Sequence, residues 1–488
     1  MRSIEQKIWE YARQHPHKMA VKSGKDTATF CQLTSRIIAA KEYLESLPGY
    51  ERGNKIILAA GKQIEFLYVY FGAHLAGLVV APIDAETNPT RFDYIAKAIS
   101  PFCVIGFDKM GTELQKVSLK EFKNLNDIVE INEIKEVSFP TEDAIADILF
   151  TTGTTGSPKG VPLTFLNESA AARNINEYIQ NKEEDVELLA LPVSHSFGLG
   201  RVRCCLSNGQ TIILLGSFVN TKKIFRTIEE EQVTGFTMVP ASWKFLQKMS
   251  GIRLADYASQ LKYIEMGSAY LSEVEKQDLA TLFPHTRVTM HYGLTEASRS
   301  AFMEFHDVDS HLSSVGKASP HTDIKVFSDK GVQLPSGQEG EICVKGEHVT
   351  KGYLSIDNSE SFYGDYFRTG DLGIIDDNGY IYLKARIKEL INVGGKKVSP
   401  TEVDEQLQKI EGVSDCACVA AKDPDGVLGE VVKAFIVRLP DTELTFDDIK
   451  SQLLGKLESY KIPVLFEWID SIPRTQNGKV QRNILQNI

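Results

Sequence analysis

Several common signposts are missing from this chain. Its seven cysteines (Cys31, Cys103, Cys204, Cys205, Cys343, Cys416 and Cys418) are odd in number and scattered, and none stands at metal-ligand spacing from a histidine. The pattern fits neither a disulfide scaffold nor a zinc site, and reads as buried, reduced thiols in a cytoplasm. A basic excess is absent too: the formal charge of −11 argues against general nucleic-acid binding. The start, Met1-Arg2-Ser3-Ile4-Glu5-Gln6-Lys7, mixes charges and lacks an apolar signal core. There is no internal repeat and no low-complexity tract. Phe66 to Ile83 is almost long enough to cross a membrane, yet it contains Gly72, His74, Gly77 and Pro82. It predicts a buried helix to about Leu75 and a buried strand over Leu78–Ala81, with no membrane insertion.

What remains is an ordinary globular composition spread over 488 residues, too long for one core. Ile4–Gln14 has helical spacing, and Lys55–Ala60 is a short buried strand. Residues 106–143 are charged and weakly periodic, which predicts a surface segment. Strand-like runs recur at Val186–Val193, Gly235–Pro240, Tyr263–Met266 and Arg287–His291, with helical stretches such as Glu168–Ile179 and Leu271–Thr281 between them. That alternation predicts wound α/β subdomains. Near Val315 the texture turns to hairpins, with Asn378-Gly379 in Asp377-Asn378-Gly379 a tight-turn signal between Leu372–Asp376 and Tyr380–Lys384.

A boundary is expected at Arg386-Ile387-Lys388. The division is an N-terminal domain over 1–385, a hinge over 386–388 and a small α+β C-terminal domain over 389–488. In that last part Ser399-Pro400-Thr401-Glu402 reads as an N-cap, a first-turn proline and an acidic helix start. Strands over Asp415–Ala421 and Val431–Leu439 and a helix over Phe446–Glu458 follow. The fold class is α/β: a large N-terminal domain of wound subdomains plus a β-rich one, and a small mobile C-terminal domain.

The stretch Thr151-Thr152-Gly153-Thr154-Thr155-Gly156-Ser157-Pro158-Lys159-Gly160 lies between the apolar runs Ile148–Phe150 and Val161–Leu163. Glycines let backbone N–H groups turn toward an anion, hydroxyls donate further, and Lys159 adds a positive charge, so the loop suits phosphates. It is not the usual nucleotide-binding loop, because Pro158 precedes the lysine and Gly160 follows it. A polar hairpin is the structural alternative.

Four further segments complete a constellation: His291-Tyr292-Gly293-Leu294-Thr295-Glu296, Tyr366–Gly373 around Thr369-Gly370-Asp371, Ala385–Gly395, and Pro473-Arg474-Thr475-Gln476-Asn477-Gly478-Lys479-Val480. With the loop at 151–160 they resemble, in order and over nearly the whole chain, the acyl-adenylating superfamily. That group contains acyl- and aryl-CoA synthetases, peptide-synthetase adenylation domains and beetle luciferases. The resemblance implies an AMP-forming acid–thiol ligase using ATP, Mg²⁺ and coenzyme A, or a phosphopantetheinyl carrier protein in place of coenzyme A.

Site roles follow from the same resemblance. Thr151 to Lys159 would hold the β- and γ-phosphates. Gly267, Ser268, Ala269, His291, Tyr292 and Gly293 would line the nucleotide, with Tyr292 stacked on adenine. Thr295 would meet the α-phosphate, and Glu296, with Thr151, the Mg²⁺. Asp371 would accept from the ribose hydroxyls, and Arg386 suits ribose and phosphate. Lys479 would stand between the attacking carboxylate and the α-phosphate. Lys388 would be the hinge about which the small domain rotates to admit the thiol, with Gly394 and Gly395 lining the thiol channel. A hairpin corner is the structural alternative for those two glycines.

The acyl pocket is expected at His195, Trp243, Ser268, His291 and Gly293. His195, in Leu191–Leu199, resembles the acyl-binding histidine of CoA ligases, although a lone histidine is more often a satisfied core residue. Trp243, with Met238, is explained equally well by core packing. No Phe-Asp-Ala-Ser-like amino-acid motif is present, so the acid is an acyl or aryl carboxylate. Acetate-specific relatives carry tryptophan where Gly293 stands, which predicts a longer acid. His291 and Ser268 replace common glycines and put a simple long-chain fatty acid in doubt. Lys396 and Lys397 read best as a solvated turn. No thiolation domain follows Lys479, so the acyl group is expected to pass to free coenzyme A or to a separate acyl carrier protein. A relative that binds nucleotide without catalysis is the third reading.

Overall fold

The computed structural model describes residues 2–123, 125, 137–151, 158–306, 311–440, 442–475 and 478–488. Among them the helix Ile4–Gln14 forms over the predicted bounds, closed at its start by a capping box between Ser3 and Gln6. The strand Lys55–Ala60 is buried along nearly its whole length. It pairs in parallel with Cys103–Ile105 on one side and Val79–Asp84 on the other, so helices cover both faces. The helix Glu65–Leu75 is buried all round, which accounts for its membrane-like composition. No helix of the described residues is long and apolar enough to cross a membrane.

Two wound sheets form the bulk of the chain. A six-stranded sheet is parallel except at its last strand, Gly160–Thr164, which returns antiparallel to Ile145–Phe150. A nine-stranded sheet has a parallel centre running from Arg287–Tyr292 through Tyr263–Met266, Gly235–Met238, Val186–Leu189 and Thr211–Leu214 to Met19–Ser23. A third, antiparallel sheet of five strands contains Tyr366–Ile375 and Ile381–Arg386. Gly379, at φ 83°, supplies the left-handed turn residue between those two strands. Their register sets Asp371 directly across from Arg386.

From Ile391 onward the chain builds its own apolar clusters, one around Val398, Leu407, Val432 and Ile449 and one around Ala417, Phe435 and Leu485. Ser399 caps the helix Pro400–Leu407 through the Glu402 N–H, as its sequence predicts. A three-stranded sheet of Val413–Lys422, Glu430–Arg438 and Leu465–Trp468 carries the remainder.

Some bounds differ from expectation. The helix predicted from Glu168 starts at Phe165, because Thr164 and Asn167 cap each other reciprocally. The strand predicted to Val193 ends at Leu189, and its apolar continuation leads instead into the turn that bears His195. The helix from Phe446 stops at Leu453, just before Gly455 at φ 81°. Within 106–143, Gln115–Val117 joins the sheet edge and Phe122 is buried, while residues 124 and 126–136 lie outside the described residues.

Candidate active site

Strand ends and turns from three sheets meet the C-terminal segment at one cleft. Tyr292 closes the strand Arg287–Tyr292, and its hydroxyl donates to Asp371 Oδ2 at 2.6 Å. Arg386 Nε lies 2.7 Å from Asp371 Oδ1, and its Nη1 donates to Thr369 O at 3.1 Å. Asp371 is buried, which raises its pKa against the opposing pull of Arg386, Tyr292 and Lys479. Lys479 keeps a water-accessible surface, yet protein crowds it closely. That crowding lowers its pKa, and Arg386 lowers it further, while Asp371, Glu296 and Glu389 act in the opposite sense. A Cβ on Gly478 would lie 3.5 Å from Ala241 and 3.9 Å from Ala269, so the turn bearing Lys479 rests against the segment that follows Met266. Lys479, Arg386, Asp371 and Glu296, distant in sequence, thus share one electrostatic environment.

The loop residues Thr152, Gly153, Thr154, Thr155, Gly156 and Ser157 lie outside the described residues. Their stem is described: Thr151 N–H donates to Lys159 O at 3.0 Å, closing the hairpin above the Phe150–Gly160 pair. Lys159 Nζ stands 4.4 Å from the centre of the Tyr353 ring, a cation–π contact. The Tyr353 hydroxyl donates to Glu296 Oε1 at 2.6 Å. The stem of the loop and the carboxylate expected to hold Mg²⁺ are therefore joined through a tyrosine that no motif marks.

Behind this cleft lies a buried charge network. Glu187 and Glu265 sit on parallel strands on either side of Gly235–Met238. Arg201 pairs with both: its Nε donates to Glu187 Oε1 at 2.8 Å and its Nη1 lies 3.2 Å from Glu265 Oε2. Arg299 donates to Glu265 Oε1 at 3.1 Å, and to the carbonyls of Ser196 and Phe197 at 3.1 and 2.9 Å. Burial would raise the Glu265 pKa, but Arg299, Arg201 and His291 outweigh it and hold it below the usual carboxylate range. Burial lowers the His291 pKa, so the imidazole is neutral and its Nδ1–H donates to Glu265 Oε1 at 2.7 Å. Two carboxylates and two guanidiniums balance, as burial of such charges requires.

This network orients the expected acyl-binding residues. His195 is the N-cap residue of the helix Ser196–Ser207, whose first carbonyls Arg299 holds. The Phe197 ring meets the His291 ring edge-on at 4.5 Å. A Cβ on Gly267 would fall 2.1 Å from His291 Cε1, so that glycine is required by the histidine beside it. Ser268 has φ 73°, a strained value for a residue with a side chain and the reason glycine is common there. At Gly293 a Cβ would lie 2.4 Å from Arg299 N, so the backbone crossing by itself requires glycine there. Trp243 and Met238 belong to the apolar core, with Trp243 packed edge-on to Phe283, matching the packing account left open beside the pocket-wall one.

Thr295 lines a cavity together with Ser196 and Ser298, which extends to Glu168, Arg203 and His348. Lys388 is exposed in the short 3₁₀ turn Ile387–Glu389, directly after the strand that carries Arg386. Gly394 and Gly395, at φ 56° and 87°, form the two-residue turn of the hairpin Ile391–Val393 to Lys396–Val398. The turn alone accounts for both. Sequence reasoning missed Glu187, Glu265, Arg201, Arg299 and Tyr353. The available signal was a lone acid inside otherwise apolar central strands, and two arginines inside the buried helix Ser196–Ser207.

Comparison with known proteins places the whole chain. Residues 8–354 match the AMP-binding enzyme family, and residues 402–479 match the AMP-binding enzyme C-terminal domain. An oxalate–CoA ligase of Arabidopsis thaliana is 29% identical over 97% of this chain and 96% of its own length. A 2-succinylbenzoate–CoA ligase of Enterococcus faecalis is 31% identical over 78% of this chain and 77% of its own. The crystal structure of ATP-bound MatB from Rhodopseudomonas palustris superposes with a TM-score of 0.88 at 25% identity, covering 100% of this chain and 99% of that one. The chain belongs to the AMP-binding enzyme family.

Proposed function

We propose that the chain is an AMP-forming acid–thiol ligase. It activates a carboxylic acid with ATP as an acyl-adenylate, releases pyrophosphate, and transfers the acyl group to coenzyme A. One observation carries the reading: Lys479, near the C-terminus, shares a cleft and its electrostatics with Arg386, Asp371 and Glu296. Attack of a carboxylate on the α-phosphorus brings two anions together, so catalysis is chiefly positioning and neutralisation. A compact ammonium in an accessible but crowded cleft suits that point. The two curated relatives are named as CoA ligases, which supports coenzyme A as the acceptor.

The residues present fit ATP and a divalent cation. Asp371, with Tyr292 and Arg386, offers acceptors and donors for a ribose. Lys159 and the loop it closes would take the outer phosphates, and Glu296 supplies a hard oxygen ligand. The bound cation would offset the charge of the phosphate oxygens. In this reading residues 1–385 form the adenylation domain, 386–388 the hinge and 389–488 a lid that carries Lys479, with Gly394 and Gly395 on the thiol path.

The acid is longer than acetate and compact, an aryl or short acyl carboxylate. The cavity at Thr295 is walled by the buried Glu168–Arg203 ion pair, at 2.8 Å, and by His348, whose Nδ1 is buried without a hydrogen bond. A wall of charged and polar groups suits a compact polar acid better than a long alkyl chain, which offers such groups no partner. Both named relatives act on acids with a second carboxylate, so diacids belong in the panel. The test is pyrophosphate release across short, medium and long fatty acids, diacids and aromatic acids, with hydroxylamine present and coenzyme A absent. The expected result is acid-dependent release strongest for compact acids, followed by thioester formation once coenzyme A is added. Release independent of any acid would overturn the reading.

A further inference from the structure

The turn that presents Lys479 is gripped from both sides. Before it, Arg474 makes a two-pronged bond to Asp415 at 2.8 and 3.0 Å and donates to Gly478 O at 3.0 Å. The turn closes on itself: Thr475 N–H donates to Lys479 O at 2.8 Å, and Gly478 N–H donates to Thr475 O at 2.8 Å. After it comes Arg482, whose side chain is 12% exposed. Arg482 Nε donates to Glu389 Oε2 at 3.0 Å, Nη1 to Cys418 O at 2.9 Å, and Nη2 to Asp404 Oδ2 at 2.8 Å. Asp404 is itself fixed, since its other oxygen accepts the Cys418 N–H at 2.6 Å.

Glu389 directly follows Lys388, and Arg386, two residues before Lys388, binds Asp371. Two ion pairs, Asp371–Arg386 and Glu389–Arg482, therefore flank the 387–389 turn, and the second ends three residues from Lys479. We infer that Arg482, through its bond to Glu389, is the positioning residue that sets the Lys479 ammonium for adenylation by tying its turn to the turn through Lys388.

The chemistry favours arginine here. Its planar fork meets three acceptors in different directions at once, whereas a lysine at the same place would hold a single point contact. Without the fork, the C-terminal side of the Lys479 turn keeps Leu485, Val480 and the Gln481 N–H bond to Pro473 O, but loses its charged tie to the turn through Lys388. The inference rests on the proposed function, because it gives Lys479 its adenylating role.

The experiment measures two half-reactions on the full chain: acid-dependent pyrophosphate exchange, and thioester formation from presupplied acyl-adenylate and coenzyme A. Arg482→Gln, Arg482→Lys, Glu389→Gln and Lys479→Ala are compared. Displacing a reacting group by about an ångström costs on the order of 100-fold. Arg482→Gln is accordingly expected to lower kcat of exchange by about 30- to 100-fold with KM for ATP within about twofold, and thioester formation within about threefold. Glu389→Gln should show the same selectivity at smaller size, and Arg482→Lys should lie between. A residue that only stabilises the fold would depress both half-reactions together, and that result overturns the inference, as does unchanged exchange. Should Arg482→Gln fail to fold, Glu389→Gln decides: selective loss of exchange supports the inference and unchanged exchange overturns it. If Lys479→Ala retains exchange, the adenylating role of Lys479 fails and the inference with it, whereas exchange in the unaltered chain that needs no acid removes the proposed function. If Lys479→Ala loses exchange while all Arg482 and Glu389 variants keep it, the inference alone fails.

Discussion

The Tyr353 hydroxyl donates to Glu296 Oε1 at 2.6 Å, from a ring that also carries Lys159 on its face. One side chain thus orients the carboxylate proposed for Mg²⁺ and the cation proposed for the outer phosphates. Tyr353→Phe keeps the ring and removes the bond. Pyrophosphate release should fall about tenfold at limiting Mg²⁺, roughly the worth of one hydrogen bond to a charged group, and recover largely at saturating Mg²⁺. A Mg²⁺ titration of both proteins checks this; an equal loss at every Mg²⁺ level would assign the bond to packing alone.

Lys479→Ala removes the lysine placed among Arg386, Asp371 and Glu296. Loss of a charge matched to the transition state is expected to cost about 100- to 1,000-fold in adenylation. Thioester formation from presupplied acyl-adenylate should stay near wild type. Quenched-flow assay of the two steps separates them, and parallel loss of both would remove the assignment.

Ser268 holds φ 73°, where a side chain costs about 1–2 kcal/mol. Ser268→Gly relieves that strain, partly offset by about 0.4–1 kcal/mol of extra freedom in the unfolded chain. A small rise in the urea midpoint is expected, together with a shift of acid preference toward less polar acids. A fall in the midpoint would mean that the serine hydroxyl is worth more than the strain.

Two buried histidines give stability opposite dependences on pH. His74 lies between Glu5 and Asp147, at 2.8 and 3.2 Å. Burial opposes its charge, but the two carboxylates win and push its pKa from 6.5 up to about 10. Its contribution is complete below pH 6.5 and disappears as pH rises through about 10. His348 is the reverse case: burial, then Arg173, push its pKa from 6.5 down to about 4. Protonation then favours the unfolded chain, so stability falls as pH drops from 6.5 toward 4. Urea midpoints across pH should show His74→Gln flattening the alkaline arm and His348→Gln the acid arm. Identical profiles for either variant and wild type would exclude that histidine.

Glu265→Gln leaves Arg201 and Arg299 buried with one carboxylate between them. Removing one member of such a set typically costs about 3–5 kcal/mol. Thermal unfolding should show a clear drop, and His195 should lose its fixed helix start as Arg299 loosens. A melting temperature within a degree of wild type would show that the network is not a unit.

Much of the molecule was legible in one dimension. The helix Ile4–Gln14 with its Ser3 cap, the strand Lys55–Ala60, the Asn378-Gly379 turn and the Ser399-Pro400 helix start all follow from period and local turn chemistry. Bounds failed where a local signal competed with another. Thr164 captured the cap that Glu168 was expected to begin, and Gly455 ended a helix whose apolar spacing ran on.

The amino-acid sequence by itself determined the order of the motifs and the α/β class, and it named Tyr292, Glu296, Asp371, Arg386 and Lys479, which the fold brings near one another. Those depend on residue type and on spacing along the chain. Tertiary structure alone decided which charges meet: Glu265 with Arg299 and His291, Tyr353 with Glu296, Arg482 with Glu389. It also decided that the backbone crossing at Arg299 requires glycine at position 293. The reason is physical. A buried charge tolerates only a partner brought to it by packing, and nothing in the local sequence states which distant strand or turn will supply that partner.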